Sequence, residues 1–275
     1  MKKGILLMIA AFAFISVYAA KVDTVSVPSP SMQKTIKTVV ITPDTYNRQK
    51  SMPVIYLLHG YSGNYGSWVN DFPVVKELAD RYGVLIVCPD GAFSSWYWDS
   101  PEDPSLRYET FVSKELISWV DKNYGTIASR EGRAITGLSM GGHGGLFLGF
   151  RHQDVYGACG SMSGGVDIRP FPNNWDMAKR LGKQSDFPER WEQYTVMNQL
   201  YLLSPNSIKI IIDCGVDDFF YEVNERLHHE LLYRNIPHDY ISRPGAHNGE
   251  YWNNAVRYQV LFFNEYFMSG AQRSR

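Results

Sequence analysis

Gly137-Leu138-Ser139-Met140-Gly141 reads G-x-S-x-G. It follows the short strand-like segment Arg133–Gly137 and leads into the Gly-rich stretch Gly141–Phe150, which has helical character. A strand that turns sharply into a helix is the setting in which such a serine becomes an exposed nucleophile. Gly137 and Gly141 lack side chains, so strand and helix can approach closely. The start of the helix favours developing negative charge. The chemistry pointed to is acyl transfer through Ser139.

A serine hydroxyl is a weak nucleophile near neutral pH and needs a base. Seven histidines are available. His247 lies in Pro244-Gly245-Ala246-His247-Asn248, directly after the strand-like run His238–Arg243, and chain order Ser, acid, His assigns the base to it. His228 and His229 fall mid-helix, and His143 sits in the helix after the elbow, facing away from Ser139. The base needs a carboxylate to fix its tautomer. Strand Ile208–Cys214 ends in Gly215-Val216-Asp217-Asp218. Asp213 lies inside the strand, too early, while spacing alone leaves Asp217 and Asp218 open. A tetrahedral intermediate needs two backbone N–H donors. Met140, after the nucleophile, supplies one. The loop His59-Gly60-Tyr61-Ser62-Gly63, after the strand Met52–Leu58, supplies the second through Tyr61.

These residues need a scaffold. Thr35–Thr42, Met52–Leu58, Val84–Cys88, Arg133–Gly137, Ala158–Met162, Ile208–Cys214 and His238–Arg243 read as strands. Asp71–Tyr82, Tyr108–Tyr124, Gly141–Phe150, Phe219–Arg234 and Asn254–Phe267 read as helices. After the first two strands the two types alternate, which predicts an α/β fold with a mostly parallel sheet covered on both faces. Asp167–Pro205 interrupts the rhythm with Pro170, Pro172, Trp175, Pro188 and Trp191 and no clear strand. It is expected to be an insertion over one end of the sheet, where loops carry the chemistry.

The 275-residue chain is 44% hydrophobic and 20% charged, with a formal net charge of -1. No charge run suggests a nucleic-acid partner. Lys2 and Lys3, the apolar run Ile5–Tyr18 and the small residues at Val17-Tyr18-Ala19 form a signal-peptide pattern, with cleavage expected after Ala19 or Ala20. The run is short for a membrane span of roughly 20 residues. Residues 1–20 are therefore read as a signal peptide and 21–275 as one exported domain, secreted or periplasmic, with no stable membrane association. Cys88, Cys159 and Cys214 are odd in number, fit no metal spacing and sit by apolar runs, so they are expected as buried thiols. No metal or cofactor is expected. Aromatic content is 14%, with seven Trp and eighteen Tyr. Trp96-Tyr97-Trp98 follows a strand and is expected at the rim of the site. Trp68, Trp98 and Trp252 are the expected substrate contacts.

His59-Gly60 with Gly63 and Trp68, then Gly137–Gly142, then Asp213-Cys214-Gly215 with Asp218-Phe219, then Pro244–His247 with Tyr251-Trp252, together resemble the esterase D-like superfamily. That superfamily includes feruloyl and acetylxylan esterases of carbohydrate esterase family 1, S-formylglutathione hydrolases and mycolyltransferases. The similarity runs from about Thr35 to Phe267. It implies an α/β-hydrolase fold without a large lid, with Asp218 as the acid of a Gly-x-x-Asp-Phe pattern. It implies a serine carboxylic-ester hydrolase acting on a small-molecule or oligosaccharide ester, with feruloyl or acetyl esters of xylan fragments foremost. Transfer of the acyl group to a sugar and S-formylglutathione hydrolysis are the alternatives. The loop departs from many relatives at Ala246, where a second Gly is common, and at Asn248-Gly249, where Asp-Trp is common. The missing aromatic implies a wider pocket. Oligomeric state is not implied.

Overall fold

The computed structural model describes residues 20–273; the signal-peptide expectation lies outside them, apart from Ala20. An eight-stranded sheet runs through these residues in the order β1-β2-β4-β3-β5-β6-β7-β8. The strands are β1 (Lys21–Ser29), β2 (Lys34–Thr42), β3 (Val54–Leu58), β4 (Leu85–Pro89), β5 (Arg133–Gly137), β6 (Ala158–Met162), β7 (Lys209–Gly215) and β8 (Asp239–Arg243). β1 pairs antiparallel with β2, and β2 antiparallel with β4. From β4 through β3 to β8 every pairing is parallel. This is the mostly parallel α/β sheet expected from the alternation of strands and helices, and the α/β-hydrolase architecture that the resemblance implies.

Successive strand residues face opposite layers. On β3, Val54, Tyr56 and Leu58 enter one apolar core while Ile55 and Leu57 enter the other. The first core packs under α4 (Leu116–Asn123), α5 (Met140–Arg151) and α8 (Tyr221–Tyr233) through Leu116, Phe147 and Leu227. The second packs under α1 (Ser67–Asp71), α2 (Val74–Tyr82) and α9 (Gly249–Arg273) through Trp68, Leu78, Val256 and Phe263. Every residue of β3, β4, β5 and β6 is buried, so β3 and β4 read as continuous apolar runs, while β5 and β6 also bury Arg133, Thr136 and Ser161.

Three local differences from the sequence expectation have physical causes. β1 lies on the sheet edge with only Val27 and Ser29 buried, so it carries too few apolar residues to stand out. The helix expected over Asp71–Tyr82 starts only at Val74: α1 ends at Asp71, and Pro73, which has no N–H for a continuing helix, caps α2. The segment from Tyr108 to Asn123 contains a π-helical turn at Phe111–Glu115 between α3 (Tyr108–Thr110) and α4. The insertion after β6 holds α6 (Met177–Leu181), α7 (Pro188–Gln193) and a 3-10 stretch at Val196–Leu202, with no strand among the described residues. Cys88, Cys159 and Cys214 are buried free thiols.

Trp96-Tyr97-Trp98 does not line the rim. All three are at most 1% exposed. Trp96 and Trp98 stack on each other, and both meet the ring of His143 edge-on. The apolar rings are more stable under the helix face of α5 than in water. His143 ties them down: its Nε2 accepts the Trp98 indole N–H at 2.8 Å, and its Nδ1–H donates to the Gly165 carbonyl at 2.9 Å. Both nitrogens are used by the neutral ring, and burial pushes its pKa down to about 4. The sign follows directly. Above pH ~6.5 the ring is neutral folded or unfolded; as pH falls toward 4 only the unfolded chain takes the proton, so stability is lost, by about 3 kcal/mol from this group at pH ~4. Urea unfolding between pH 7 and 4 should show that loss. A His143→Gln variant should be less stable at pH 7 and lose less on acidification; equal pH slopes would assign the acid sensitivity elsewhere.

Candidate active site

Five chain segments meet at the carboxyl ends of the parallel strands. β5 ends at Gly137, and Ser139 caps α5 at φ 56°, ψ −115°. This left-handed-side backbone is rare for a residue with a side chain. Neighbouring strands hold it. The Ser139 N–H donates to the Met162 carbonyl of β6 at 2.9 Å, and the Leu138 N–H to the Leu58 carbonyl of β3 at 3.3 Å. A Cβ on Gly141 would lie 2.4 Å from the Leu58 oxygen and 2.7 Å from the His59 oxygen. Only glycine lets α5 start this close to β3.

The imidazole of His247 stands between Ser139 and Asp218. Its Nε2 is 2.9 Å from the Ser139 hydroxyl oxygen. Its Nδ1–H points at both oxygens of Asp218, at 3.0 and 2.9 Å. Asp218 is buried, and its Oδ1 also accepts the Phe220 N–H at 2.8 Å. Asp217 is exposed and reaches the loop only through its backbone, donating its N–H to Gly245 at 2.9 Å. Spacing left these two neighbours open; the turn from Gly215 aims only Asp218 inward. Nδ1–H donation leaves Nε2 free to accept a proton from Ser139, which is the arrangement acyl transfer requires.

The N–H groups of Tyr61 and Met140 have no acceptor among the described residues. Their neighbours do. Ser62 N–H donates to Phe93 O and Gly63 N–H to Gly60 O. His59 fixes the loop from beneath. It is buried, its Nδ1–H donates to Gly60 O at 2.7 Å, and its Nε2 accepts the Gly91 N–H at 2.7 Å. Burial lowers its pKa, which keeps the ring neutral for both bonds. The Tyr97 hydroxyl donates to the His59 carbonyl at 3.0 Å. Two free amides beside a nucleophile are what an oxyanion needs.

A cavity of about 620 Å³ opens over Ser139. Its walls include Tyr61, Trp68, Phe72, Trp175, Phe219, His247 and Trp252. Trp252 meets His247 edge-on at 4.9 Å. Trp68 backs the wall but is 1% exposed, with its indole N–H on the Leu58 carbonyl. Trp98 is a correction: it lies in the buried aromatic layer with His143, away from the cavity. Trp175 and Phe219 do line the cavity and were not singled out as contacts. Trp175 belongs to an insertion without periodicity, and the sequence marks Phe219 only as a helix start and as part of the Asp218 motif.

The family model "Putative esterase" matches residues 29–263. The chain belongs to this esterase family. It is 27% identical over 225 residues to an acetyl esterase of Caldicellulosiruptor saccharolyticus, covering 75% of this chain and 81% of the relative. A solved ferulic acid esterase superposes with TM-score 0.77 at 28% identity, covering 91% of this chain and 99% of that one. The diacylglycerol acyltransferase/mycolyltransferase Ag85B of Mycolicibacterium smegmatis is 29% identical over 215 residues, 70% of this chain and 64% of its own length. Other mycobacterial relatives are longer still relative to the match, which spans 29% to 52% of them. The enzymatic class is serine esterase.

The packing at the elbow makes a specific forecast. Gly141→Ala places a methyl group against two main-chain oxygens that cannot swing aside. The variant should lose roughly 2 kcal/mol or more, read as a lowered urea midpoint. An unshifted midpoint would show that α5 can start further from β3.

Proposed function

We propose that this protein is an exported serine carboxylic-ester hydrolase that works through an acyl-enzyme on Ser139. The observation carrying the proposal is the unbroken hydrogen-bonded line from Ser139 through His247 to Asp218. His247 removes the proton from the Ser139 hydroxyl as its oxygen attacks the ester carbonyl. Asp218 holds the imidazole in the needed tautomer and stabilises its cation. The N–H groups of Tyr61 and Met140 receive the oxyanion. His247 then hands the proton to the departing alcohol oxygen, and water, deprotonated by the same imidazole, releases the acid and frees Ser139.

The substrate proposed is a feruloyl or acetyl ester on a plant-polysaccharide fragment. The similar acetyl esterase and ferulic acid esterase support it, as does the open, aromatic-walled cavity. Trp252 is proposed as a substrate contact and Trp68 as its backing. Export is supported by the N-terminal sequence pattern, and no helix among the described residues is long and apolar enough to cross a membrane. A second reading, transfer of the acyl group to a sugar hydroxyl, is favoured by the similarity to Ag85B. It differs only in the acceptor, so product analysis with added sugar separates the two.

Release of ferulate or acetate from xylan fragments tests the substrate. Turnover of short aryl esters without such release would retain the chemistry and discard the substrate. Ser139→Ala and His247→Ala should each lower kcat on the order of 10³-fold or more, and the double variant should be no worse. Asp218→Asn should cost a large part of the rate and Asp217→Asn little. Sensitivity at Asp217 in place of Asp218 would overturn the assignment of the acid.

A further inference from the structure

One Asn-Gly step occurs in the chain, Asn248-Gly249, and it lies directly after His247. Gly249 is the first residue of α9, and Asn248 stands just before it. Both are exposed. An asparagine carries an electrophile, its side-chain Cγ, within ring-closing reach of the next backbone nitrogen. Glycine in the next position lacks the Cβ that would hinder the approach.

The structure prepares both groups. The Gly249 N–H is one of the amides that a helix leaves open at its start, and it has no acceptor among the described residues. Hydroxide can take its proton without breaking a hydrogen bond. The Asn248 Oδ1 accepts the Tyr251 N–H at 3.0 Å, as a side chain in this position at a helix start does. Negative charge gathers on that same oxygen when the nitrogen attacks Cγ. The Tyr251 N–H and the positive end of α9 stand in place to stabilise it. The leaving nitrogen, Nδ2, has no partner among the described residues to hold it.

We infer that Asn248-Gly249 is a site of self-modification, at which Asn248 turns into aspartate or isoaspartate, and that the isoaspartate form has lost the alignment of His247. The part on activity rests on the serine-esterase reading. The Gly249 nitrogen bonds to Cγ, its proton goes to solvent, and the Cγ–Nδ2 bond breaks to release ammonia. Water then opens the cyclic imide. Cleavage of the new N–Cγ bond gives aspartate; cleavage of the original bond from nitrogen to the main-chain carbonyl carbon gives isoaspartate. The balance is water in and ammonia out. Aspartate caps a helix as well as asparagine does, so that product keeps the bond to Tyr251. Isoaspartate runs the chain through Cβ, and the Asn248 carbonyl that accepts the Trp252 N–H at 3.2 Å becomes a free carboxylate. Trp252 meets the His247 ring edge-on, so the added main-chain carbon acts on the base from both sides. A misplacement of about 1 Å at a catalytic group can cost on the order of 10²-fold in rate.

The purified protein, incubated in mildly alkaline buffer and sampled over time, tests this. Peptide mass spectrometry is expected to show the amide-to-acid mass shift at residue 248 ahead of every other asparagine. A protein isoaspartyl methyltransferase should count isoaspartate there. Isolated by ion exchange, the isoaspartate form should have a kcat on aryl esters at least about 10-fold below that of the starting protein, and Asn248→Asp a kcat within about threefold of it. Gly249→Ala should begin with unchanged activity, since its Cβ would meet only the Phe72 ring, at 3.5 and 3.9 Å. Its conversion should be slower by roughly tenfold or more, because the methyl group hinders the attack. An unmodified Asn248, under conditions that convert a short peptide of the same sequence, overturns the inference. So does an isoaspartate form as active as the starting protein. The mass readout does not depend on turnover. Fresh protein that cleaves no aryl ester sinks the esterase reading and the loss of activity with it, while the mass shift alone decides the modification.

Discussion

Ser139 sits at φ 56° because three strands leave it no alternative. A non-glycine residue there costs on the order of 1–3 kcal/mol, and the conformation persists only when its surroundings over-determine it. The constraint comes from both sides of β5. Leu138 bonds back to β3, Ser139 bonds across to β6, and Leu138 forms an isolated parallel bridge with Met162. α5 is pressed against the end of β3 with no room for a methyl group at Gly141. The parallel order β3-β5-β6-β7-β8 then delivers everything else to the same edge. The loop after β3 brings the Tyr61 amide, the segment after β6 brings Trp175, the turn after β7 brings Asp218 and the turn after β8 brings His247. Parallel strands all end on one side, so a site assembled from successive loops follows from the topology.

This topology was largely legible in the amino-acid sequence, because strands buried on both faces, such as Val54–Leu58 and Leu85–Pro89, are short near-continuous apolar segments. β5 and β6 lie where the runs Arg133–Gly137 and Ala158–Met162 put them. The positions of Ser139, His247 and the Tyr61 loop were legible for a related reason: each lies in a short polar or glycine-rich interruption directly after a strand. The choice between Asp217 and Asp218 was not, because adjacent residues share every spacing argument. Only the turn geometry, with the Asp218 N–H donating to the Gly215 carbonyl, turns one carboxylate inward and leaves the other in solvent. Trp175 was equally hidden. Its segment has no period, and what places it is a backbone conformation that residue type does not announce.

The aromatic residues show where composition misleads. A high tryptophan and tyrosine content fits a ligand-facing surface and a filled core alike, and Trp96, Tyr97, Trp98 and Trp191 are all buried. They fill the layer between the sheet, α5 and the insertion, where each polar tip finds a partner. Trp98 meets His143, Tyr97 meets the His59 carbonyl, and Trp191 donates to the Gly182 carbonyl. A buried aromatic with a satisfied N–H or O–H adds both apolar area and a fixed orientation. The bonds of Tyr97 and His59 thus act on the loop that carries the Tyr61 amide, and these rings shape the cavity wall from beneath.

Asp213 carries the same logic to the base. It lies inside β7, five residues before the aspartate that bonds His247, and it is fully buried. Burial raises its pKa, while Tyr251 and Arg243 oppose that rise. Tyr251 donates its hydroxyl at 2.5 Å and Arg243 its guanidinium at 2.6 Å. Arg243 ends β8 and Tyr251 opens α9, so the two residues flank the turn that carries His247. The Tyr251 ring packs where a side chain on Gly245 would stand, and the Gly245 carbonyl closes on Gly215 of β7. One carboxylate on β7 therefore grips both ends of the loop, and the next turn of the same chain presents Asp218 to the imidazole. Two buried aspartates five residues apart divide the work: Asp213 holds both ends of the loop, and Asp218 bonds the imidazole.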